Sequence, residues 1–207
     1  MKTLGVLIGL LIFSCAESQE TREYWLAGGP CEGCEAVMEY GDKTLSSVDT
    51  LPGFDSATKK LKVSGTIFKG DGETPAGGVI LYIYQTNAEG LYAAPDSAKG
   101  WARRHGELRG WMKTGNDGKY TFYTLVPGNY PGSEFAAHIH PTVLEPDGKY
   151  YYLQDYLFEG DPYMEQGLKD QPRGGTDGIL KLKNENGILV GTRDLILGKN
   201  IPGYPKK

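Results

Sequence analysis

Residues 61–68 read LKVSGTIF, and their alternation of apolar and polar side chains predicts a half-buried β-strand. Leu61, Val63 and Ile67 share one face of an extended chain, because successive side chains of a strand point to opposite sides. Lys62 and Ser64 lie on the other face. The stretch therefore fits a strand with one side against a core and the other toward solvent.

Short runs of the same type recur after Leu51, and turn signals separate them. Asp117-Gly118, Asp147-Gly148 and Asn186-Gly187 are dipeptides typical of hairpin turns. Glycine supplies 30 of 207 residues, about twice its usual share, which disfavours helix-rich architectures. The sequence therefore predicts an all-β fold of mostly antiparallel strands with long functional loops, either a β-sandwich or a barrel. The predicted strands cover residues 61–68, 79–85, 108–114, 119–125, 135–144, 150–157, 179–183 and 188–197.

Charge and composition limit the classes of function. The chain carries 26 acidic and 22 basic side chains, which gives a formal charge of −4. Because no basic excess is available to neutralise a phosphate backbone, nucleic acid is not an expected partner. Apolar residues make up 39% of the chain, enough for one sizeable core in a single domain.

The first fifteen residues, MKTLGVLIGLLIFSC, have the pattern of an export signal. Their apolar run is too short to span a bilayer. The ending IFSC resembles a bacterial lipoprotein box, in which the cysteine is lipid-modified and the peptide is cut just before it. Ordinary secretory cleavage a few residues later is the alternative.

We predict from this pattern a lipoprotein-type signal peptide at residues 1–14, an arm or tether at 15–50 and a folded domain at 51–207. The protein is expected to be exported and to be periplasmic or at the cell surface. It would meet the membrane only through a lipid anchor on Cys15.

Cys31 and Cys34 form a C-x-x-C pair within the predicted arm. Disulfides persist outside the cytoplasm, so a local disulfide is the favoured interpretation. A zinc site would need a second cysteine or histidine pair. A thioredoxin-like site would need a strand followed by a helix, a context that Gly28, Gly29 and Pro30 do not favour.

His138 and His140, in the sequence AHIH, are the first candidates for metal binding. Their spacing places both imidazoles on one face of a strand, although polar residues on an exposed strand would give the same pattern. Tyr130 lies just before them in VPGNYPGS, and Tyr92 lies in QTNAEGLYAAP just after the predicted strand VILYIYQ. Both tyrosines are predicted to be loop residues at strand ends, where sites are usually built.

These four side chains together suit a trivalent cation. A tyrosine is a poor ligand until its phenol, with a pKa of about 10, loses its proton. A trivalent ion supplies the electrostatic drive for that loss. Two phenolates and two neutral imidazoles therefore favour Fe(III) over Fe(II) or zinc, and leave one position for water, hydroxide or substrate.

Four stretches, in order, resemble the intradiol ring-cleavage dioxygenases, the family of catechol, hydroxyquinol and protocatechuate dioxygenases. The resemblance spans about residues 58–163 and implies a β-sandwich core. This chain is similar to the shorter exported members, since nothing between Cys15 and Leu51 indicates a helical dimerisation region. The four stretches are VSGTIFKGDGETPAGGVILYIYQTNAEGLY (63–92), LRGWMKTGNDGKYTFYTLVPGNYPG (108–132), AHIH (137–140) and LFEGDPY (157–163).

The resemblance implies that Tyr92, Tyr130, His138 and His140 are the ligands of a non-haem ferric ion. It implies a catechol-type diol as substrate, cleaved by O₂ between its two hydroxylated carbons. By the position of its motif, Tyr130 would be the tyrosine that leaves the iron and takes up a substrate proton. The identity of the diol and the oligomeric state are not defined by the sequence.

The stretch YPGSEFAAH, residues 130–138, departs from the family pattern. Family members usually carry an arginine there to stabilise negative charge that develops on the ring. Here Ser133 and Phe135 occupy the candidate positions, so Arg103, Arg104 or Arg109 would have to supply the charge.

This departure keeps an alternative open: an exported, non-catalytic β-sandwich binding module that retains the metal site or its scaffold. A copper or zinc protein that used H-x-H alone would leave both tyrosines unexplained.

Several other polar residues have more ordinary expected roles. His105, in WARRHGELRGW, is predicted to be a surface or loop histidine outside the ligand set. Arg109 is predicted to fix the loop before its strand. Asp161 is predicted to shape a turn, and either Gln154 or Asp155 to be a polar pocket residue.

Overall fold

Two β-sheets enclose the main hydrophobic core of the computed structural model, which describes residues 23–205. The predicted signal peptide and Cys15 lie outside the described residues, so the export signal and the lipid anchor stay predictions. Within the described range, no helix has both the length and the apolar character needed to cross a membrane.

The described residues form thirteen strands and three short helical segments. In chain order the strands are β1 (Trp25–Leu26), β2 (Val48–Thr50), β3 (Lys60–Phe68), β4 (Ile80–Gln85), β5 (Arg109–Lys113), β6 (Lys119–Leu125), β7 (His138–Leu144), β8 (Lys149–Tyr152), β9 (Tyr156–Phe158), β10 (Ile179–Leu180), β11 (Lys183–Glu185), β12 (Ile188–Thr192) and β13 (Leu195–Ile196). The helical segments are a 3₁₀ helix (Cys34–Met38), α1 (Ala102–His105) and α2 (Met164–Gly167).

The first sheet, sheet A, has the strand order β1-β8-β7-β4-β5, with β9 paired to the start of β7 and β10 paired to β9. The second, sheet B, has the order β11-β12-β3-β6-β2, with β13 also paired to β3. The central pairings β3 with β6, β4 with β5 and β4 with β7 are antiparallel, as predicted. Five pairings are instead parallel: β1 with β8, β2 with β6, β10 with β9, β12 with β3 and β13 with β3.

The core between the sheets follows the alternation in LKVSGTIF. Leu61, Val63 and Ile67 are fully buried, whereas Lys62 and Ser64 are only partly covered. The same core cluster contains alternate residues of β4 and β7 from sheet A. Burial of one such aliphatic side chain contributes roughly 1.5–3 kcal/mol, which makes this alternation the main local determinant of the sandwich.

Sheet A is also covered on its outer face, by the segment that carries the two cysteines. Cys34, Ala36 and Val37 are buried in a second cluster with Tyr82 and Trp111. This explains why β4, with the sequence ILYIYQ, is apolar on both faces and almost entirely buried. The segment is closed by the expected local disulfide between Cys31 and Cys34.

The predicted strands are recovered with four differences. The strand predicted at 179–183 is instead two strands, β10 in sheet A and β11 in sheet B, separated by Lys181 and Leu182. The strand predicted from residue 135 begins at His138. The one predicted at 150–157 is interrupted by residues 153–155, and the one at 188–197 by Arg193 and Asp194. Before Leu51, where the folded body was predicted to start, β1 and β2 already belong to the two sheets, and the 3₁₀ helix covers sheet A.

Candidate metal centre

The two histidines of AHIH open strand β7 on the outer face of sheet A. Ile139, between them, is fully buried in the core between the sheets, so His138 and His140 point to the opposite side. Thr142 continues this outer face, and its hydroxyl contacts Sγ of Cys34 in the disulfide-bearing segment. The predicted sharing of one strand face by the two imidazoles is therefore present.

The two candidate tyrosines lie on loops whose backbones touch. The amide of Gly128 donates to the carbonyl of Asn87 at 2.9 Å. A Cβ atom at Gly90, which has φ +80°, would overlap the carbonyl of Asn129, and one at Gly128 would overlap that of Ala88. Glycine is required at these two positions because the close approach of the loops brings their tyrosines together.

All four predicted ligand side chains converge. The hydroxyl of Tyr92 lies 2.6 Å from that of Tyr130 and 3.0 Å from Nε2 of His140. The hydroxyl of Tyr130 lies 3.1 Å from Nε2 of His138. The two Nε2 atoms are 3.0 Å apart. Two phenol oxygens and two imidazole nitrogens therefore surround one point.

The outer nitrogens of the histidines determine which atoms face that point. Nδ1–H of His138 donates to the carbonyl of Ala136 at 2.6 Å, and Nδ1–H of His140 donates to Oδ1 of Asp155 at 2.9 Å. In a neutral imidazole the other nitrogen then carries a lone pair and no proton. Two lone pairs that face each other at 3.0 Å repel, and a cation between them would remove the repulsion.

Burial favours the neutral forms of three of the four donors, Tyr92, Tyr130 and His138, when no cation is bound. It raises the pKa of Tyr92 well above the usual range and also raises that of Tyr130. Burial, together with the charge of His140, lowers the pKa of His138. Phenols whose pKa values are raised by burial need a strongly charged, hard cation to lose their protons. Such a cation could be held by the two phenolates together with the two imidazoles.

The sequence predicted either Gln154 or Asp155 as a polar pocket residue, and the structure places Asp155 at the site. Its side chain meets His140, whereas the side chain of Gln154 donates to the carbonyl of Gly167. Desolvation alone would raise the pKa of Asp155, but the charge and hydrogen bond of His140 lower it below the ordinary value. Oxygen and nitrogen atoms of Asp155, His138 and His140 lie within 4.8 Å of one another. Because the carboxylate occupies Nδ1 of His140, it orients that ring rather than joining the four inner donors.

Asp161 holds the Tyr130 loop against the start of β7. Its Oδ2 accepts hydrogen bonds from the side chain of Asn129 at 3.1 Å and the amide of Ala137 at 3.0 Å. Its Oδ1 accepts from the amide of Tyr163. The predicted structural role of Asp161 is confirmed, and these bonds explain why β7 begins only after Ala137.

The expectation for His105 was wrong in one respect. This histidine is 4% exposed and lies inside the protein, at the end of α1. Its Nδ1 is hydrogen-bonded to the hydroxyl of Tyr82 at 2.8 Å. The charged residues next to it in the sequence suggested a surface position, but Gly33 of the disulfide-bearing segment covers the ring.

Two of the three arginines that could replace the family's usual one, Arg104 and Arg109, have other partners. Arg109 pairs with Glu39 at 2.7 Å, and Arg104 pairs with Glu32 on the surface at 2.8 Å. Within residues 23–205, the four inner donors are not linked to any arginine or lysine by the hydrogen bonds and ion pairs of the structure. At the candidate positions, Ser133 bonds the carbonyl of Tyr130, and Phe135 is 57% exposed.

A protein-family model described as Dioxygenase matches residues 38–187, well over half of the chain. The chain belongs to the intradiol ring-cleavage dioxygenase family. The matched range contains all four inner donors and the 3₁₀ helix residue Met38.

Three proteins of known name are similar to this chain. Catechol 1,2-dioxygenase 1 of Acinetobacter lwoffii is 36% identical over 102 residues, which is 49% of this chain and 30% of that protein. The dioxygenase domain of a dioxygenase and carbohydrate-binding protein fusion from Streptomyces sp. SirexAA-E is 25% identical, with a TM-score of 0.53, and the match covers 77% of this chain and 94% of that one. An intradiol ring-cleavage dioxygenase from Tetranychus urticae shares the fold at 21% identity and a TM-score of 0.53, over 82% and 91% of the two chains. The chain therefore spans less than a third of the length of the catechol 1,2-dioxygenase and most of the length of the two short structures.

Proposed function

We propose that the protein is a non-haem ferric dioxygenase that cleaves a catechol-type diol between its two hydroxylated carbons with O₂. The observation that carries this proposal is the convergence of two tyrosine hydroxyls and two histidine Nε2 atoms at separations of 2.6–3.1 Å. Membership of the intradiol family supports the same chemistry.

The four inner donors, Tyr92, Tyr130, His138 and His140, would hold the iron. Bound ferric iron would supply a Lewis acid that lowers the pKa of coordinated phenols and makes a chelated diol reactive toward O₂. The carbonyl of Ala136 and the carboxylate of Asp155 keep both histidine protons on Nδ1, so that both Nε2 lone pairs are available. Asp155 also gives the site an anionic outer partner.

Tyr130 is the residue that we assign to proton transfer. Its hydroxyl exchanges hydrogen bonds with Tyr92 and His138, so a proton at Tyr130 Oη has acceptors on both sides. Its loop is braced by Asp161 through Asn129, whereas its ring edge is covered by the exposed Phe135. We infer that Tyr130 takes a proton from the diol as substrate binds, while Tyr92 stays in place.

We also propose that the protein works outside the cytoplasm as a lipid-anchored protein. The support is the sequence MKTLGVLIGLLIFSC and the disulfide, which suits an oxidising compartment. Metabolic labelling with a fatty-acid probe should mark wild type and leave Cys15→Ser unlabelled. Labelling of both proteins, or of neither, would contradict the anchor.

Visible spectroscopy of the iron-loaded domain tests the metal site directly. Tyrosinate bound to ferric iron absorbs in the visible, so wild type should become coloured and Tyr92→Phe should lose both colour and retained iron. Tyr24→Phe, at an exposed tyrosine, is the matched control and should keep both. A colourless wild type after iron loading would overturn the proposal.

Oxygen uptake across a panel of catechols then separates the enzyme from the binding module. We expect uptake with at least one diol and the appearance of a ring-opened dicarboxylic acid. Iron binding with no uptake on any diol would favour the non-catalytic module, for which the exposed Phe135 in place of an arginine is the specific argument.

A further inference from the structure

His105 is a buried, titratable side chain that the proposed reaction does not use. Burial lowers its pKa to about 4, so the ring is neutral at physiological pH. It is not among the four inner donors, and its Nδ1 is already bonded to Tyr82. A buried histidine this near a candidate metal centre needs a physical role.

The position of its ring suggests one. His105 stacks on Tyr84 with ring centres 3.7 Å apart and planes only 5° from parallel. The opposite side of Tyr84 stacks on His140 at 4.5 Å and 26°. Tyr84 and His140 are directly opposed across the antiparallel pair β4 and β7, so this contact is built into the strand register. Tyr84 is therefore held between His105, which lies outside the predicted ligand set, and His140, which is a predicted ligand.

The disulfide-bearing segment closes the outer end of this stack. Trp101 packs on His105 with centres 5.3 Å apart. The amide of Trp101 donates to Glu39, which also pairs with Arg109. At Gly33, with φ +83°, an added Cβ would lie 2.7 Å from Cε1 of His105 and nearer still to its Nε2. The backbone at Gly33 thus presses on the histidine with no room for a methyl group.

We propose that His105 is a positioning residue of the metal centre, which clamps Tyr84 against His140 and is itself held in place by residues 31–39. The inference rests on the proposed function, because it concerns how one ligand is aimed. The hydrogen bond from His140 to Asp155 fixes one edge of the imidazole but leaves the ring free to tilt about that bond. A flat contact from Tyr84 removes the tilt, and a metal site needs its ligands held within about 10–20°.

Two substitutions of His105 by apolar residues separate the effect of its ring contact with Tyr84 from the effect of its hydrogen bond to Tyr82. His105→Leu and His105→Phe both remove the bond to Tyr82, so both should lower the thermal stability. Only His105→Leu also removes the planar ring that stacks on Tyr84, because phenylalanine keeps one. We expect the iron affinity, measured by competition with a chelator, to fall about tenfold in His105→Leu and to stay within about twofold of wild type in His105→Phe. The visible band should shift and broaden in the leucine variant alone.

Glycine substitutions within and just before the covering segment give a second, matched pair. Gly33→Ala and Gly29→Ala place a side chain at nearly the same left-handed φ, +83° and +87°, so they share the backbone strain. Only Gly33→Ala meets His105, since the Cβ position at Gly29 has no neighbour within 4 Å. The alanine at position 33 should weaken iron binding about tenfold, and the alanine at 29 should leave it unchanged.

The apoprotein supplies a readout that needs no iron. Long-range ¹H–¹⁵N NMR should show His140 protonated on Nδ1 as one sharp species in wild type and His105→Phe, and as a broadened or mixed signal in His105→Leu. Equal iron affinity and equal His140 signals in the leucine and phenylalanine variants would overturn the inference while the proposed function stood. Failure of wild type to bind ferric iron would overturn the proposed function, and the NMR comparison would still decide the role of His105.

Discussion

Removal of the charge on Asp155 is the most direct test of how the metal centre is built. The carboxylate accepts Nδ1–H of His140 at 2.9 Å, and its pKa lies below the ordinary value, so it is ionised at neutral pH. Asp155→Asn keeps the shape and an oxygen acceptor but removes the negative charge. Asp155→Ala removes the acceptor as well and frees the ring of His140 to change its tautomer.

The size of the effect follows from the exposure of the pair. A hydrogen bond to a charged group contributes about 1.5–3 kcal/mol. The Asp155 side chain is 36% exposed, so solvent screening reduces its contribution toward the lower end of that range. We therefore expect Asp155→Asn to weaken ferric iron binding about tenfold, or about 1.4 kcal/mol. Asp155→Ala should approach about 100-fold.

Chelator competition on the purified domain measures this difference, with the visible spectrum recorded on the same samples. Asp55→Asn, an exposed carboxylate between β2 and β3, controls for the loss of one negative charge from the whole protein. Wild-type affinity in both Asp155 variants, with the fold intact, would refute the reasoning that an anionic partner orients His140. Equal losses in the Asp155 and Asp55 variants would show that only net charge matters.

Three further outcomes follow from the fold. Replacement of both Cys31 and Cys34 by alanine opens a small loop, with a sequence separation of 3. The double substitution should lower the free energy of unfolding by about 2 kcal/mol and the melting temperature in calorimetry by about 4–8 °C. An unchanged melting temperature would argue against the disulfide in solution. His105 has a folded-state pKa of about 4 and an ordinary value near 6.5, so the unfolded chain takes up the proton first as the pH falls. The free energy of unfolding of the apoprotein should therefore fall by up to about 3 kcal/mol between pH 6.5 and pH 4. Denaturant unfolding at both pH values should show a smaller loss in His105→Phe, and the same loss in both proteins would assign the effect to other groups. Leu81→Ala, at a fully buried core position, should lower the free energy of unfolding by about 2–5 kcal/mol, whereas Leu168→Ala, at a 37% exposed site, should lower it much less. Similar losses in the two variants by denaturant titration would contradict the core assignment.

The sequence predicted the main strands because their signals are local. Alternation in LKVSGTIF places Leu61, Val63 and Ile67 on one face whatever the partner strand is. The same rule put His138 and His140 on a common face. The motif context also selected Tyr92 and Tyr130 from among 14 tyrosines, most of which fit packing roles.

The remainder of the site depends on contacts between distant parts of the chain. Whether Gln154 or Asp155 faced the site depended on where strands β8 and β9 separate, and the sequence pattern did not show that break. His105 looked exposed because its neighbours in sequence are charged, whereas Gly33, far away in the chain, covers it.

The local pattern of side chains by itself determined an all-β fold, the shared face of the two histidines and the four residue types that suit a trivalent ion. Tertiary structure alone decided that neighbouring donors of these four lie 2.6–3.1 Å apart, that Asp155 orients His140 and that the disulfide-bearing segment covers the Tyr84 stack. The physical reason is that periodicity fixes the direction in which a side chain leaves its own strand. The distance between side chains on different loops is fixed only when Gly90 and Gly128 let two backbones touch.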